Sequence, residues 1–176
     1  MQIYEALKKD HDTLKPLLAQ LVNAGGESAE VRSQLIDQIR DELVPHSRAE
    51  EAVFYNSLRQ IDEVSDLAWH GYTEHAEAEA MLRTLQVMDK VNADWTAIAT
   101  KLKEALEHHI AEEEGKIFNA AKQVLADEEA EMMATAFEQL KGEVQEQSFM
   151  QNTLDMIANM MPTRFADKLR SFNHRV

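Results

Sequence analysis

The chain has no cysteine among its 176 residues. That removes disulfides, thiolate zinc sites, iron–sulfur clusters and thiol catalysis from the choices. Glycine and proline are scarce, five and three residues, so long stretches run free of helix breakers. Positive charge is short as well: 18 Lys and Arg stand against 32 Asp and Glu, for a net charge of −14. A surface of that sign is repelled by nucleic-acid phosphates and by anionic lipid, so neither a nucleic-acid nor a membrane partner is expected. No apolar run is long enough to cross a bilayer, and the opening MQIYEALKKDHD has no apolar signal core. A cytoplasmic location is the expectation.

What is present is helix-forming. The apolar share is 44%, enough for a core. Ile3, Leu7, Leu14, Leu17, Leu18 and Leu21 fall on one broad face and predict a first helix from about Gln2 to Ala24, stopped by Gly25-Gly26. A second helix restarts near Ser28 and runs to about Gln60, with Pro45 expected to kink it just before His46. Asp62 opens a third, to about Val91. Asn92 and Asp94 break and cap the fourth, to about Leu125. Asp127 begins a fifth segment, followed by a Met-rich stretch from Phe149 to Met161, Pro162 and a short basic helix. The expected architecture is all-α: an up-down-up-down four-helix bundle over residues 1–125, with a C-terminal helical extension over 126–176. The extension packs on the bundle or at a subunit interface, and its Met-rich region could join two copies as a homodimer.

Four of the seven histidines stand one to a helix in the four consecutive helices: His11, His46, His75 and His109. At about 1.5 Å per residue, alternating helices bring all four to one level of the bundle. His46 is followed four residues on by Glu50, and His109 by Glu113, and a step of four is one turn along the same face. Acids make up nearly a fifth of the chain, so one such pair means little; His75–Glu79 and His108–Glu112 show the same spacing. Two pairs in matching contexts, PHSRAEEAVFY and HHIAEEEGKIF, together with two levelled single histidines, mean more. Neutral imidazole with carboxylate suits iron, manganese or zinc. Two carboxylates in a four-histidine set can bridge a pair of ions.

Two points stay open on the sequence. Glu114 stands four before Phe118 as Glu50 stands four before Phe54, so a one-residue helix bulge would let Glu114 replace Glu113 as the inward acid. His70, five before His75, would join the set if the helix bulges near Gly71. Asp10 and Asp12 are expected in solvent, or holding an imidazole from behind. His108 is expected beside the site or on the surface, and Trp69, Tyr72, Tyr55 and Trp95 in the core or at an interface, with Tyr55 or Tyr72 as candidates to line a pocket above the metals.

Taken together, KKDHDTL, HSRAEEAVFY, TEHAEAEAML and HHIAEEEGKIF resemble the hemerythrin-like family, the HHE cation-binding domains, over about residues 1–125. The resemblance implies a four-helix bundle with a non-haem centre of two iron ions, bridged by the two carboxylates and an oxo or hydroxo group, with manganese or zinc as lesser alternatives. It implies a protein that binds or senses O₂ or a related small oxidant. The alternatives are a di-iron enzyme consuming nitric oxide or peroxide, and a zinc-filled or metal-free helical interaction module. Oxygen-carrying members have two histidines four apart on the third helix; here the positions four before and four after His75 are Gly71 and Glu79. The set of four histidines and two glutamates is closer to the iron-cluster repair branch. The ferritin-like alternative, marked by Glu-x-x-His, is excluded, because no histidine has a glutamate three residues before it.

Overall fold

The computed structural model describes residues 1–87 and 94–145, and among these residues there is no strand. Helix α1 is Ile3–Asn23 and α2 is Ala29–Glu50. A wide π-turn over Glu51–Tyr55 carries α2 into the short α3, Asn56–Leu58. Helix α4 is Ser65–Val87 and α5 is Trp95–Glu112. A second π-turn, Glu113–Ile117, leads to α6, Phe118–Val124, and α7 follows at Asp127–Gln145. The segment 149–172, the His174 tail and the Asn92 break lie outside the described residues.

The helix starts follow local chemistry. The backbone N–H of Gln2 donates to Glu5 at 3.0 Å, closing a capping box. Ser28 Oγ accepts from the N–H of Val31, and Asp94 Oδ1 from that of Ala97. One expectation is corrected. The third helix begins at Ser65 rather than Asp62, because residues 59–64 form a chain of turns. Pro45 lies buried inside α2, which continues through it to Glu50. The π-turn follows directly.

Helices α1, α2, α4 and α5 touch in a closed ring, each against the next, and α7 lies across α1 and α2. Two apolar clusters show the direction of each helix. One holds the start of α1 (Ile3, Leu7), the π-turn after α2 (Val53, Phe54), the start of α4 (Ala68) and the stretch beyond α5 (Ile117, Phe118). The other holds the end of α1 (Leu18, Leu21), the start of α2 (Leu35, Ile39), the end of α4 (Leu82, Leu85) and the start of α5 (Trp95, Leu102). Ends and starts alternate, so the helices run up, down, up and down. Helix α7 joins the first cluster through Met133, Phe137 and Leu140. The clusters are separated along the bundle by a polar layer. His11 lies between Leu7 and Leu14, His46 between Leu43 and Ala49, His75 between Ala68 and Ala78, and His109 between Leu106 and Ile117.

Candidate metal centre

Each ring helix contributes one buried histidine to that layer, and α2 ends at Glu50 just as Glu113 follows α5. His11, His46, His75 and His109 are at most 4% exposed, and Glu50 and Glu113 are at 0%. Polar groups this deep are costly unless something satisfies them.

All four imidazoles are held from behind by a carboxylate on Nδ1. His11 Nδ1 meets Glu114 at 3.0 Å, and His46 Nδ1 meets Asp10 at 3.2 Å. His75 Nδ1 meets Glu51 at 3.1 Å, and His109 Nδ1 meets Glu74 at 2.8 Å. A carboxylate accepts, so each Nδ1 carries the hydrogen. Each Nε2 of a neutral ring then presents a lone pair to the interior. The four lone pairs meet one another and the two buried glutamates. Glu50 Oε2 lies 3.3 Å from His46 Nε2 and 3.5 Å from His75 Nε2. Glu113 Oε2 lies 3.2 Å from His11 Nε2 and 3.9 Å from His109 Nε2. His75 Nε2 and His109 Nε2 face each other at 3.1 Å.

These contacts are acceptor against acceptor. His11 Nε2, both oxygens of Glu50 and Oε2 of Glu113 have no hydrogen-bond partner. Donors bound about 2.0–2.2 Å from one metal ion stand about 3.0–3.6 Å apart around it. The separations here run from 3.1 to 3.9 Å, and the donor atoms of Glu50, His75 and His109 fall within 4.8 Å of one another. The residues present therefore fit a metal cation, which turns the mutual repulsion of lone pairs into ligation. Each glutamate approaches one histidine from α1 or α2 and one from α4 or α5, the placement a bridging carboxylate needs.

The charges inside the cluster respond to this crowding. Burial, then the charge of Glu113, pushes Glu50 well above the usual carboxylate range. Burial opposes the charge on Glu113 too, but its neighbours Glu50 and His11 hold it low. Burial lowers His75 to about 4 against the opposing pull of Glu51, so this ring is neutral at physiological pH and ready to ligate. Burial likewise works against the charge on Asp10, and the bonds from His46 and Lys141 outweigh it.

Of the two acids left open by the sequence, Glu113 turns inward and Glu114 turns to His11 Nδ1, also taking Lys8 at 2.9 Å and Lys15 at 3.2 Å. The π-turn forms, as a bulge would, but begins at Glu113 and leaves it in helical register with His109. Asp10 is not solvated. It lies buried between His46 and Lys141, whose Nζ donates to both its oxygens at 2.7 and 2.8 Å. Residue Asp12 stays exposed. His70 does not enter the centre; its Nε2 lies by Glu74 and Glu112 at the surface, and His108 is beside it. Trp69 is 53% exposed, not core.

Tyr55 is the residue whose role the sequence left least defined. Its ring lies 5.5 Å from that of His75, and its hydroxyl donates to Glu113 Oε1 at 3.1 Å. A Cβ at Gly71 would overlap the Tyr55 ring. The position four before His75 is therefore a glycine because Tyr55 fills the space that a side chain there would need.

An internal two-fold pattern ties these parts together. The acid before His11 holds His46, and the acid before His75 holds His109. The acid after Glu50 holds His75, and the acid after Glu113 holds His11. Both acids after the inward glutamate sit at the start of a π-turn or within it.

Residues 2–121 match the model of the hemerythrin HHE cation binding domain. The chain belongs to this family. Among relatives, the hemerythrin-like chain is 30% identical over 142 residues to an uncharacterized hemerythrin-like protein of Schizosaccharomyces pombe, covering 80% of this chain and 69% of that protein. It is 24% identical over 146 residues to a DNA nickase of Nostoc sp., covering 83% of this chain but only 41% of the nickase. The family binds metal cations, and the His/Glu layer is where the hemerythrin-like chain gathers the donors for one. Helix α7 lies beyond the matched residues.

Proposed function

We propose that the protein holds two iron ions and binds or senses O₂ or a related small oxidant there. His11, His46, His75 and His109, with Glu50 and Glu113, would hold the ions. The observation that carries this is the convergence of six buried acceptors, each imidazole fixed by a carboxylate on Nδ1. Imidazole and carboxylate together suit iron, and a bridging pair suits two ions. Bound there, iron supplies redox chemistry and an open coordination position for a small ligand.

The surrounding residues do the rest. The Nδ1 carboxylates raise the basicity of the rings and fix their orientation. The apolar clusters above and below exclude bulk water. Tyr55, whose hydroxyl is held neutral by burial and the adjacent Glu113 charge, keeps a proton at Glu113 Oε1. The Glu51 carboxylate that orients His75 also lines a groove of about 390 Å³ between α2 and α4.

Tyr55 supports a second reading, turnover of peroxide or nitric oxide, because consuming either ligand needs protons and Tyr55 is a buried O–H donor at the centre. The net charge of −14 gives no attraction for a phosphate backbone, so the proposal does not extend to DNA despite the nickase likeness.

Metal analysis with a visible spectrum on aerobically purified protein, before and after dithionite, tests the reading. Two irons per chain, with charge-transfer bands that bleach on reduction, is the expected result. Zinc or no metal, with a spectrum that iron reconstitution leaves featureless, overturns it and leaves a helical interaction module. Sustained peroxide or nitric oxide consumption by the iron form would favour the enzyme.

A further inference from the structure

A second histidine–carboxylate group lies on the outer face of α4 and α5. His70 and Glu74 are one turn apart on α4, and His108 and Glu112 are one turn apart on α5. His70 Nε2 is 3.4 Å from Glu74 Oε1 and 3.2 Å from Glu112 Oε2. His108 Nε2 is 3.9 Å from the same Glu74 oxygen and 3.7 Å from the same Glu112 oxygen. His70, Glu74 and Glu112 thus bring three donors within 4.8 Å of one another, and His108 stands at their edge. The His70 spacings fall within the roughly 3.0–3.6 Å edges of a four- or six-donor metal shell, and those of His108 lie just outside it.

Both carboxylates are anchored through their other oxygen. Glu74 Oε2 accepts from His109 Nδ1 at 2.8 Å, and Glu112 Oε1 accepts from Lys116 at 2.9 Å. The oxygens turned to the imidazoles are thus fixed in place rather than swinging in solvent. The histidine side chains are 51% and 70% exposed, so a hydrated cation can reach them.

We infer that His70, Glu74 and Glu112, with His108 beside them, form a surface site for one divalent cation of the borderline class, such as Zn²⁺, Co²⁺ or Fe²⁺. Imidazole with two carboxylates selects that class over Mg²⁺ and Ca²⁺, which prefer all-oxygen shells. Glu74 joins this site to the buried layer: one oxygen faces the surface cation while the other holds His109. An ion here stands one carboxylate and one imidazole away from the interior centre.

The test is titration of the full-length protein with Co²⁺, read by bound metal per chain and by d–d absorption. The wild type is compared with His70→Ala/His108→Ala and, separately, with Glu112→Gln. The wild type is expected to take one more ion per chain than either variant, with the extra absorption that of a mixed nitrogen and oxygen shell. Equal counts and spectra in all three overturn the site. The difference between proteins is independent of the buried layer, so an interior that holds no iron changes the totals and not the difference. The histidines are exposed, and Glu112→Gln preserves shape, so one variant at least reports on a folded chain, checked by circular dichroism.

Discussion

His108–Glu112 and His109–Glu113 are the same four-residue motif set one position apart on the same helix. One residue of helix is about 100° of rotation. That rotation sends the first pair into solvent and the second into a layer sealed between two apolar clusters. Side-chain chemistry is the same in both places; water is the difference. Outside, the donors satisfy themselves with solvent and with Lys116, and folding does not depend on what they hold. Inside, Glu50 and Glu113 have oxygens with no donor in reach, so a cation there contributes to the fold itself.

Several substitutions would sharpen or break that contrast. The largest effect is expected at the interior. His46→Ala or Glu50→Ala should abolish metal binding and lower stability relative to the loaded wild type by about 2.7–4.1 kcal/mol, the linkage expected when the ligand is present at 100–1,000 times its Kd. Metal content and denaturant midpoints measure both. Unchanged stoichiometry would remove these residues from the centre. Stripping the wild type with a chelator should reproduce much of the same loss.

Gly71→Ala comes next. Its Cβ meets the Tyr55 ring, and overpacking of this kind costs about 2–3 kcal/mol. A thermal midpoint equal to wild type would show that Tyr55 is not confined as described. Tyr55→Phe should cost less, about 1–2 kcal/mol, by leaving Glu113 Oε1 without its donor. Metal content is expected to persist, so a perturbed visible spectrum with intact stoichiometry would mark Tyr55 as a neighbour of the centre. At the small end, His70→Ala/His108→Ala should move stability by no more than about 0.5 kcal/mol and leave the interior metal in place. A large loss would mean that the outer pair also supports the core.

The sequence showed the layer more fully than its surroundings. His11, His46, His75 and His109 could be levelled because rise per residue and turn positions are one-dimensional quantities. The i,i+4 rule put Glu50 and Glu113 on the right faces for the same reason. What supports those rings was illegible, because it crosses between helices. Asp10 was expected in solvent or behind an imidazole, and nothing local to α1 reveals that Lys141 and His46 converge on it. Tyr55 could not be told from any core aromatic, because its place depends on the missing side chain at Gly71, on the next helix of the ring. The matched acids before His11 and His75, and after Glu50 and Glu113, were visible as letters but lost in a chain where acids are common.

The family match ends at residue 121, yet the ammonium that steadies Asp10, and through it His46, comes from residue 141. The Phe137 ring also packs against His46, nearly perpendicular with centroids 5.7 Å apart, from the same late helix. The span of the family model and the set of residues that supports His46 are therefore not the same length. A chain cut back to the shared span would retain every interior donor and still be missing a strut. Any catalogue of this centre drawn up from the common domain alone is short by one helix.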